Sequence, residues 1–238
     1  MISENLALVK NRIAEAARKA GRSPGGVRLV AVSKGVPADR INRARDAGAT
    51  LFGENKAQEA MGKIAQLGRV GISWHFIGHL QKNKAKYVLD LFDMVHSVDS
   101  LALAGAIHGE ALKRGAVMPI LLQVNVSGEE SKFGAAPGEL EDLLSGISRL
   151  SGVRVRGLMT IPPYDPDPEA SRRHFARLRE IRDRLAGLNI ENVSLDELSM
   201  GMSNDFAIAV EEGATLVRVG TAIFGERPET ANGRNKAC

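Results

Sequence analysis

The chain has 238 residues with 32 basic and 28 acidic side chains, a formal charge of +4, 44% hydrophobic and 25% charged residues. This is the composition of a soluble globular protein with enough chain for a substantial core. The basic residues are scattered and aromatics reach only 4%, which argues against a nucleic-acid platform. No apolar run approaches the roughly 20 residues that span a bilayer, and the single cysteine, Cys238, leaves no intrachain disulfide and suits a reducing cytoplasm.

Residues 1–20 read as an amphipathic helix, with Lys10, Arg12, Arg18 and Lys19 spread along it, rather than as a signal peptide. Short β-branched runs then alternate with amphipathic stretches. Strands are expected at 28–34, 50–54, 73–78, 94–98, 119–126, 153–160, 197–200 and 216–224. Helices are expected at 38–47, 56–67, 83–91, 101–114, 138–150, 169–186 and 204–212. Such alternation means βαβ units and a parallel sheet. Eight strands in this length fit a single-domain (β/α)₈ barrel, an α/β TIM barrel with an extra N-terminal helix; a doubly wound open sheet is the second architecture. The polar tail from about Arg227 is expected to fray.

The polar residues gather at the C-terminal ends of the strands: Lys34, Asn55, His79, Asn125 with Ser127, and Thr160 after Met159. In a barrel those ends share the face where active sites sit. Lys34 ends an apolar strand, where low-dielectric surroundings favour a neutral amine, the form that Schiff-base chemistry with an aldehyde needs. The alternative is a strand-end lysine that simply reaches solvent.

The run Ser199-Met-Gly-Met-Ser-Asn-Asp205 leads from a strand into a helix, with Met200 beside Gly201 at the bend and Ser203 placed as an N-cap. It offers backbone N–H groups to an anion, or it is only a capped helix. Arg218 lies inside an apolar strand, where a cation is costly without an acceptor. It pairs with a neighbouring carboxylate or points into the barrel mouth. Gly220 and Thr221 follow it and can add donors to a phosphate site. Because such a barrel closes first strand to eighth, the lysine and the phosphate cradle become neighbours. An aldehyde carrying a phosphate, met by a lysine, suggests pyridoxal 5′-phosphate (PLP).

Seven segments carry a resemblance from Asn5 to about Arg227: Ala31-Val-Ser-Lys34, Phe52-Gly-Glu-Asn55, Trp74 to Asn83, Gln123 to Gly134, Gly157-Leu-Met-Thr-Ile-Pro162, Leu198-Ser-Met-Gly-Met-Ser203 and Val217 to Gly225. Together they resemble the YggS/PROSC family of PLP homeostasis proteins, which share the barrel of the alanine racemase N-terminal domain. The resemblance implies an aldimine on Lys34 and phosphate contacts from the Ser199–Ser203 loop, including Met200 and Gly201, and from Gly220 and Thr221. It implies that Arg218 faces the pyridine nitrogen, and that Asn55, His79 and Met159 line the mouth. Two places depart from the family pattern: Gly35-Val36 follows Lys34 where Thr-Lys is common, and Lys56-Ala57 follows Asn55 where an aromatic and a valine are usual.

The resemblance implies PLP binding in support of cofactor and amino-acid balance; taken with the composition, the expected protein is a cytoplasmic carrier without turnover, with apo PLP-dependent enzymes as acceptors and no nucleic acid or membrane. The competing class is a PLP-dependent racemase. Racemisation needs acid–base groups on both faces of the α-carbon. In alanine racemases a tyrosine from a second domain across a dimer serves one face, and this chain is expected to lack that domain, so a monomer is expected. Tyr87 and Tyr164 match no such role. A Schiff-base aldolase is a third class. His75, His79, His96, His108, Asp93 and Asp99 show no zinc-helix spacing and are expected to be structural.

Overall fold

A computed structural model describes residues 1–129 and 131–226. Eight parallel strands close a barrel in sequential order: β1 (Arg28–Val32), β2 (Leu51–Glu54), β3 (Ser73–Phe76), β4 (Met94–Val98), β5 (Met118–Gln123), β6 (Val153–Met159), β7 (Val193–Ser199) and β8 (Leu216–Val219). The closure is β1 on β8, with Ala31 opposite Val219. Helices α1 (Ile2–Lys19), α2 (Ala38–Asp46), α3 (Ala57–Leu67), α4 (Ala85–Leu91), α5 (Leu101–Lys113), α6 (Leu140–Ile147), α7 (Arg172–Ala186), α8 (Phe206–Glu211) and α9 (Thr221–Phe224) complete the described residues.

Two hydrophobic layers follow from the strand period of two. Outward-facing residues such as Ala31, Phe52, Trp74, Leu122 and Val217 pack under the helices. The barrel interior holds a smaller cluster of Val30, Leu51, Met94, Leu121, Met159 and Leu216. Polar groups share that interior, among them His75, His96, Ser199 and Arg218, all buried.

Helix α1 precedes the first strand and lies over the β8 end of the barrel. Its apolar stripe, Leu6, Val9, Ile13, Ala16 and Ala17, is buried. Asn5 Nδ2 donates to Ile223 O at 3.1 Å, and just past the helix Arg22 donates to Val210 O and Ala214 O at 2.6 and 2.9 Å. These bonds tie the first helix to α9 and to the end of α8 and the turn that follows it.

Besides shifts of two or three residues at other ends, such as β5 stopping at Gln123 rather than 126 and β3 at Phe76 rather than 78, four readings change. The first strand stops at Val32, so Lys34 stands in a turn: Val36 N donates to Ser33 O at 2.9 Å, and Gly35 has φ +70°. The seventh strand starts four residues before 197, at Val193. The run 216–224 is not one strand. It breaks at Gly220 into the helical turn α9, whose N–H groups at Gly220 and Ala222 donate to the Ser203 hydroxyl. Ser203 is not an N-cap either. Asp205 holds that position, and its carboxylate accepts Met202 N at 2.7 Å, which frees Ser203 to reach across to β8. The expected frayed tail lies outside the described residues.

Candidate functional site

The C-terminal ends of β1, β7 and β8 meet at one corner of the barrel mouth. Gly220 sits so close to β1 that a Cβ on it would lie 3.3 Å from Val32 Cβ and from Val32 O. Val32 is two residues before Lys34, so the loop after β8 packs against the end of β1 just ahead of the lysine turn. Ser203 joins the third element: its Oγ accepts Gly220 N at 3.2 Å and Ala222 N at 3.4 Å. A hydroxyl that accepts two N–H bonds still has its own proton to donate.

Gly201 shapes this corner. Its φ is +87°, and a Cβ there would lie 2.5 Å from Ala209 Cβ and 2.9 Å from Phe206 Cα. Its carbonyl accepts Arg218 N at 2.9 Å. Among the described residues, the N–H groups of Ser203, Asn204 and Thr221 have no protein acceptor. A bent, glycine-opened backbone with unpaired N–H groups and a donor hydroxyl fits a dianionic phosphate.

Beneath the mouth lies Arg218, 4% exposed. Burial lowers its pKa to about 10, with Asp205 opposing, so it stays cationic at neutral pH. Its guanidinium donates to Ser199 Oγ at 2.6 Å and to Thr160 O at 2.9 Å. Among the described residues it forms no ion pair with a carboxylate. The Ser199 hydroxyl lies 2.9 Å from His96 Nδ1, and His96 Nε2 lies 2.8 Å from His75 Nδ1. Arginine can only donate, and among the described residues His96 Nδ1 is the acceptor within reach of the Ser199 hydroxyl, so the fully satisfied arrangement has Ser199 donating to His96 Nδ1. His96 then carries hydrogen on Nε2 and donates to His75. The chain of bonds runs one way, out of the cation.

Both histidines are held neutral. Burial, reinforced by Arg28, pushes His75 down to about 4 against an opposing Asp93; burial, then His75, Arg218 and Arg28, hold His96 well below the usual histidine range. A depressed histidine contributes stability that is complete above its ordinary value of 6.5 and is lost as pH falls toward 4. The folded state is therefore expected to lose about 2 kcal/mol between pH 6.5 and 5 from His75 alone. Urea unfolding at both pH values reads this loss, and His75→Gln, whose amide oxygen can still accept from His96, is expected to remove that part of the slope.

The other expected residues are spread around the mouth. Met159 lies wholly inside the inner core and Met200 in the outer one. Asn55 is half-buried against β3, where Gly78 comes so near that a Cβ on it would lie 2.4 Å from Asn55 O. Exposed His79 stacks on Phe133 with ring centres 3.9 Å apart. Asn125 builds the loop that brings Phe133 there: its side chain bonds Ser127 Oγ, Gly128 N, Glu129 O and Lys132 O. A cleft of about 500 Å³ opens beside His79, Lys82, Asp99 and Ser100. It does not include the Lys34 and Ser203 corner. Among the described residues, no group of three His, Cys, Asp or Glu side chains could hold a metal ion, and no helix is long and apolar enough to cross a membrane.

Sequence reading missed the Phe133 stack, the directed histidine chain and a buried charge cluster of Glu54, Glu59 and Lys63. The one available signal was Glu54 and Lys63 in otherwise apolar stretches, which shows that a charge is buried but not what it touches.

Comparison with known proteins places this geometry in context. The family described as alanine racemase, N-terminal domain, matches residues 5–228. The pyridoxal phosphate homeostasis protein of Aquifex aeolicus is 45% identical over 224 residues, 94% of this chain and 97% of that one. The protein of the same name from Pseudomonas aeruginosa is 48% identical over 226 residues, 95% and 96% of the two chains. The structure of PipY from Synechococcus elongatus with PLP bound superposes with a TM-score of 0.82 at 38% identity, covering 94% of this chain and 100% of that one. Alanine racemase from Corynebacterium glutamicum shares the fold, with a TM-score of 0.67 at 16% identity over 96% of this chain and 64% of its own.

Proposed function

The chain belongs to the alanine racemase N-terminal domain family, among its pyridoxal phosphate homeostasis proteins, and from that membership we propose that it carries PLP as an aldimine on Lys34 without turning over a substrate. The whole chain acts as one cofactor-binding domain in the cytoplasm, as a monomer, and apo PLP-dependent enzymes are the acceptors.

The observation that carries this reading is the packing of the Ser203–Gly220 junction against the end of β1, two residues before Lys34, above a buried arginine. Lys34 supplies the amine. The Ser203 hydroxyl and the N–H groups of Ser203, Asn204 and Thr221 suit the phosphate, and Gly201 and Gly220 leave room for it. Arg218 stands where a ring nitrogen would meet a fixed cation, which disfavours protonation of that nitrogen. Bound PLP supplies an electron sink, and an unprotonated ring weakens it. Ser199 and Met200 are too deeply buried to serve the phosphate. Ser199 supports Arg218 instead, while Asn55, His79 and Met159 flank or underlie the mouth.

Lack of turnover follows from the acid–base inventory. Racemisation needs a proton donor and acceptor on opposite faces of the α-carbon. Tyr164, in the loop after β6, is 78% exposed, and Tyr87 lies on α4. Among the described residues neither hydroxyl has a hydrogen-bond partner to aim it, Tyr87 carrying only Lys84 and Lys86 over its ring, and an open mouth excludes water poorly. Titration of the purified chain with PLP, followed by incubation with L- and D-alanine, tests the reading. Stoichiometric binding with no interconversion is expected; robust Lys34-dependent conversion of an amino acid would establish an enzyme.

Ser203→Ala tests the cradle separately. It removes an acceptor for two N–H groups and a donor to the anion, each worth about 1 kcal/mol. PLP affinity is expected to fall about tenfold or more by absorbance titration, with Lys34 still forming the reduced adduct at saturating cofactor.

A further inference from the structure

Lys34 lies beyond the last ladder bond of β1, so its turn needs another support. Lys63 on α3 provides it. This side chain is only 8% exposed as a residue, and its ammonium uses three donors on three acceptors. It donates to Ser33 O at 2.6 Å, Glu54 Oε1 at 2.7 Å and Glu59 Oε1 at 2.6 Å. The carboxylates reach the same turn. Ser33 Oγ donates to Glu54 Oε1 at 2.6 Å, and Gly35 N donates to Glu59 Oε1 at 2.5 Å. The residues on both sides of Lys34 are therefore tied to one cluster of a cation and two carboxylates.

We propose that Lys63, with Glu54 and Glu59, positions Lys34 by fixing the flanking Ser33 and Gly35, and so sets how readily its amine reaches an aldehyde. This rests on Lys34 being the cofactor anchor. Stability alone is a poor reason for the cluster, because a buried ion pair is often no better than apolar residues of similar volume. What it supplies is geometry: each bond ends on the Ser33 carbonyl or on a carboxylate that holds the Ser33 hydroxyl or the Gly35 N–H. Burial raises the pKa of Glu54 against the bonds from Lys63 and Ser33; burial also opposes ionisation of Glu59, but its bonds from Lys63 and Gly35 prevail and lower it. Glu59 is therefore the firmer anion and the one that grips Gly35. Reactions that depend on placement lose rate steeply with small displacements, about 100-fold for an ångström.

The test compares the full-length wild type with Lys63→Met and Glu59→Gln. Two quantities are read: the rate at which PLP gives a borohydride-trapped adduct on Lys34, and the affinity for pyridoxine 5′-phosphate, which has the ring and phosphate but no aldehyde. A positioning role predicts adduct formation about 10- to 100-fold slower in Lys63→Met and several-fold slower in Glu59→Gln, with affinity for the alcohol within about twofold of wild type. Equal adduct rates in the variants overturn the proposal. A parallel loss for both compounds also overturns it, since that assigns the cluster to the fold or the phosphate cradle. Should Lys63→Met not fold, Glu59→Gln, altered at a half-buried surface position, carries the same comparison. No adduct even in the wild type overturns the anchor reading beneath the proposal, and the proposal with it; an adduct in wild type that forms unchanged in the variants overturns the positioning role alone.

Discussion

Lys34→Ala is expected to abolish both the aldimine absorbance band and the borohydride-reduced adduct, while leaving the fold intact. Lys34 is half-buried in a turn, outside the β1 ladder and both hydrophobic clusters. Removing its side chain opens no core cavity, and surface substitutions of this sort usually stay within about 0.5 kcal/mol. The chemical loss is expected to be complete, because the buried lysine beside the turn is already engaged. Lys63 has its three donors bound, and the lysine common in relatives two residues beyond the anchor is Val36 here. Phosphate and ring contacts survive, so weak non-covalent binding of PLP should persist. Intact mass after reduction and the absorbance spectrum read the two effects. An adduct that persists on another lysine would displace Lys34 from its role and reopen the aldolase and plain phosphate-binding readings.

Gly201→Ala is expected to destabilise the fold and the site together. The backbone has φ +87°, and the new Cβ would meet Ala209 Cβ at 2.5 Å and Phe206 Cα at 2.9 Å. A non-glycine residue in that conformation costs on the order of 1–3 kcal/mol before any clash. Part of the clash falls on the helix backbone, which cannot turn aside as a side-chain tip would. The combined cost is expected to be about 3 kcal/mol or more. Relief would require α8 to move away from β7. That movement would pull on Arg218 N, which donates to Gly201 O, and on the Ser203 junction with Gly220. Urea unfolding and PLP titration should both register the change. A fully stable variant with wild-type affinity would mean that this turn is not the phosphate cradle.

The barrel was legible because its signals are local. Apolar runs of strand length alternate with amphipathic stretches, and each run lies where a strand now stands. The two clearest misjudgements are the strand at 28–34 and the unbroken strand at 216–224. Ser33 and Lys34 leave the ladder because their turn bonds to α3 and closes on itself, while the apolar residues beyond Gly220 serve packing between helices, which hydrophobicity alone does not distinguish from a ladder. Ile223 and Phe224 are buried like strand residues but under α1. Ser203 illustrates the same limit at the site. It has the identity of an N-cap, yet Asp205 takes the cap position and the serine bonds a loop seventeen residues away.

By itself, the sequence determined the number and order of the strands, the strand-end location of the polar residues, and through its motifs the family. These follow from periodicity and residue identity along the chain. Only the tertiary structure decided which polar groups touch. It brought Lys63 under Ser33, ran the bonds from Arg218 through Ser199 and His96 to His75, and laid Phe133 over His79. The physical reason is that a buried polar group must find its partner wherever the closed barrel brings one within about 3 Å. That partner comes from another strand or helix at a separation that no local pattern encodes.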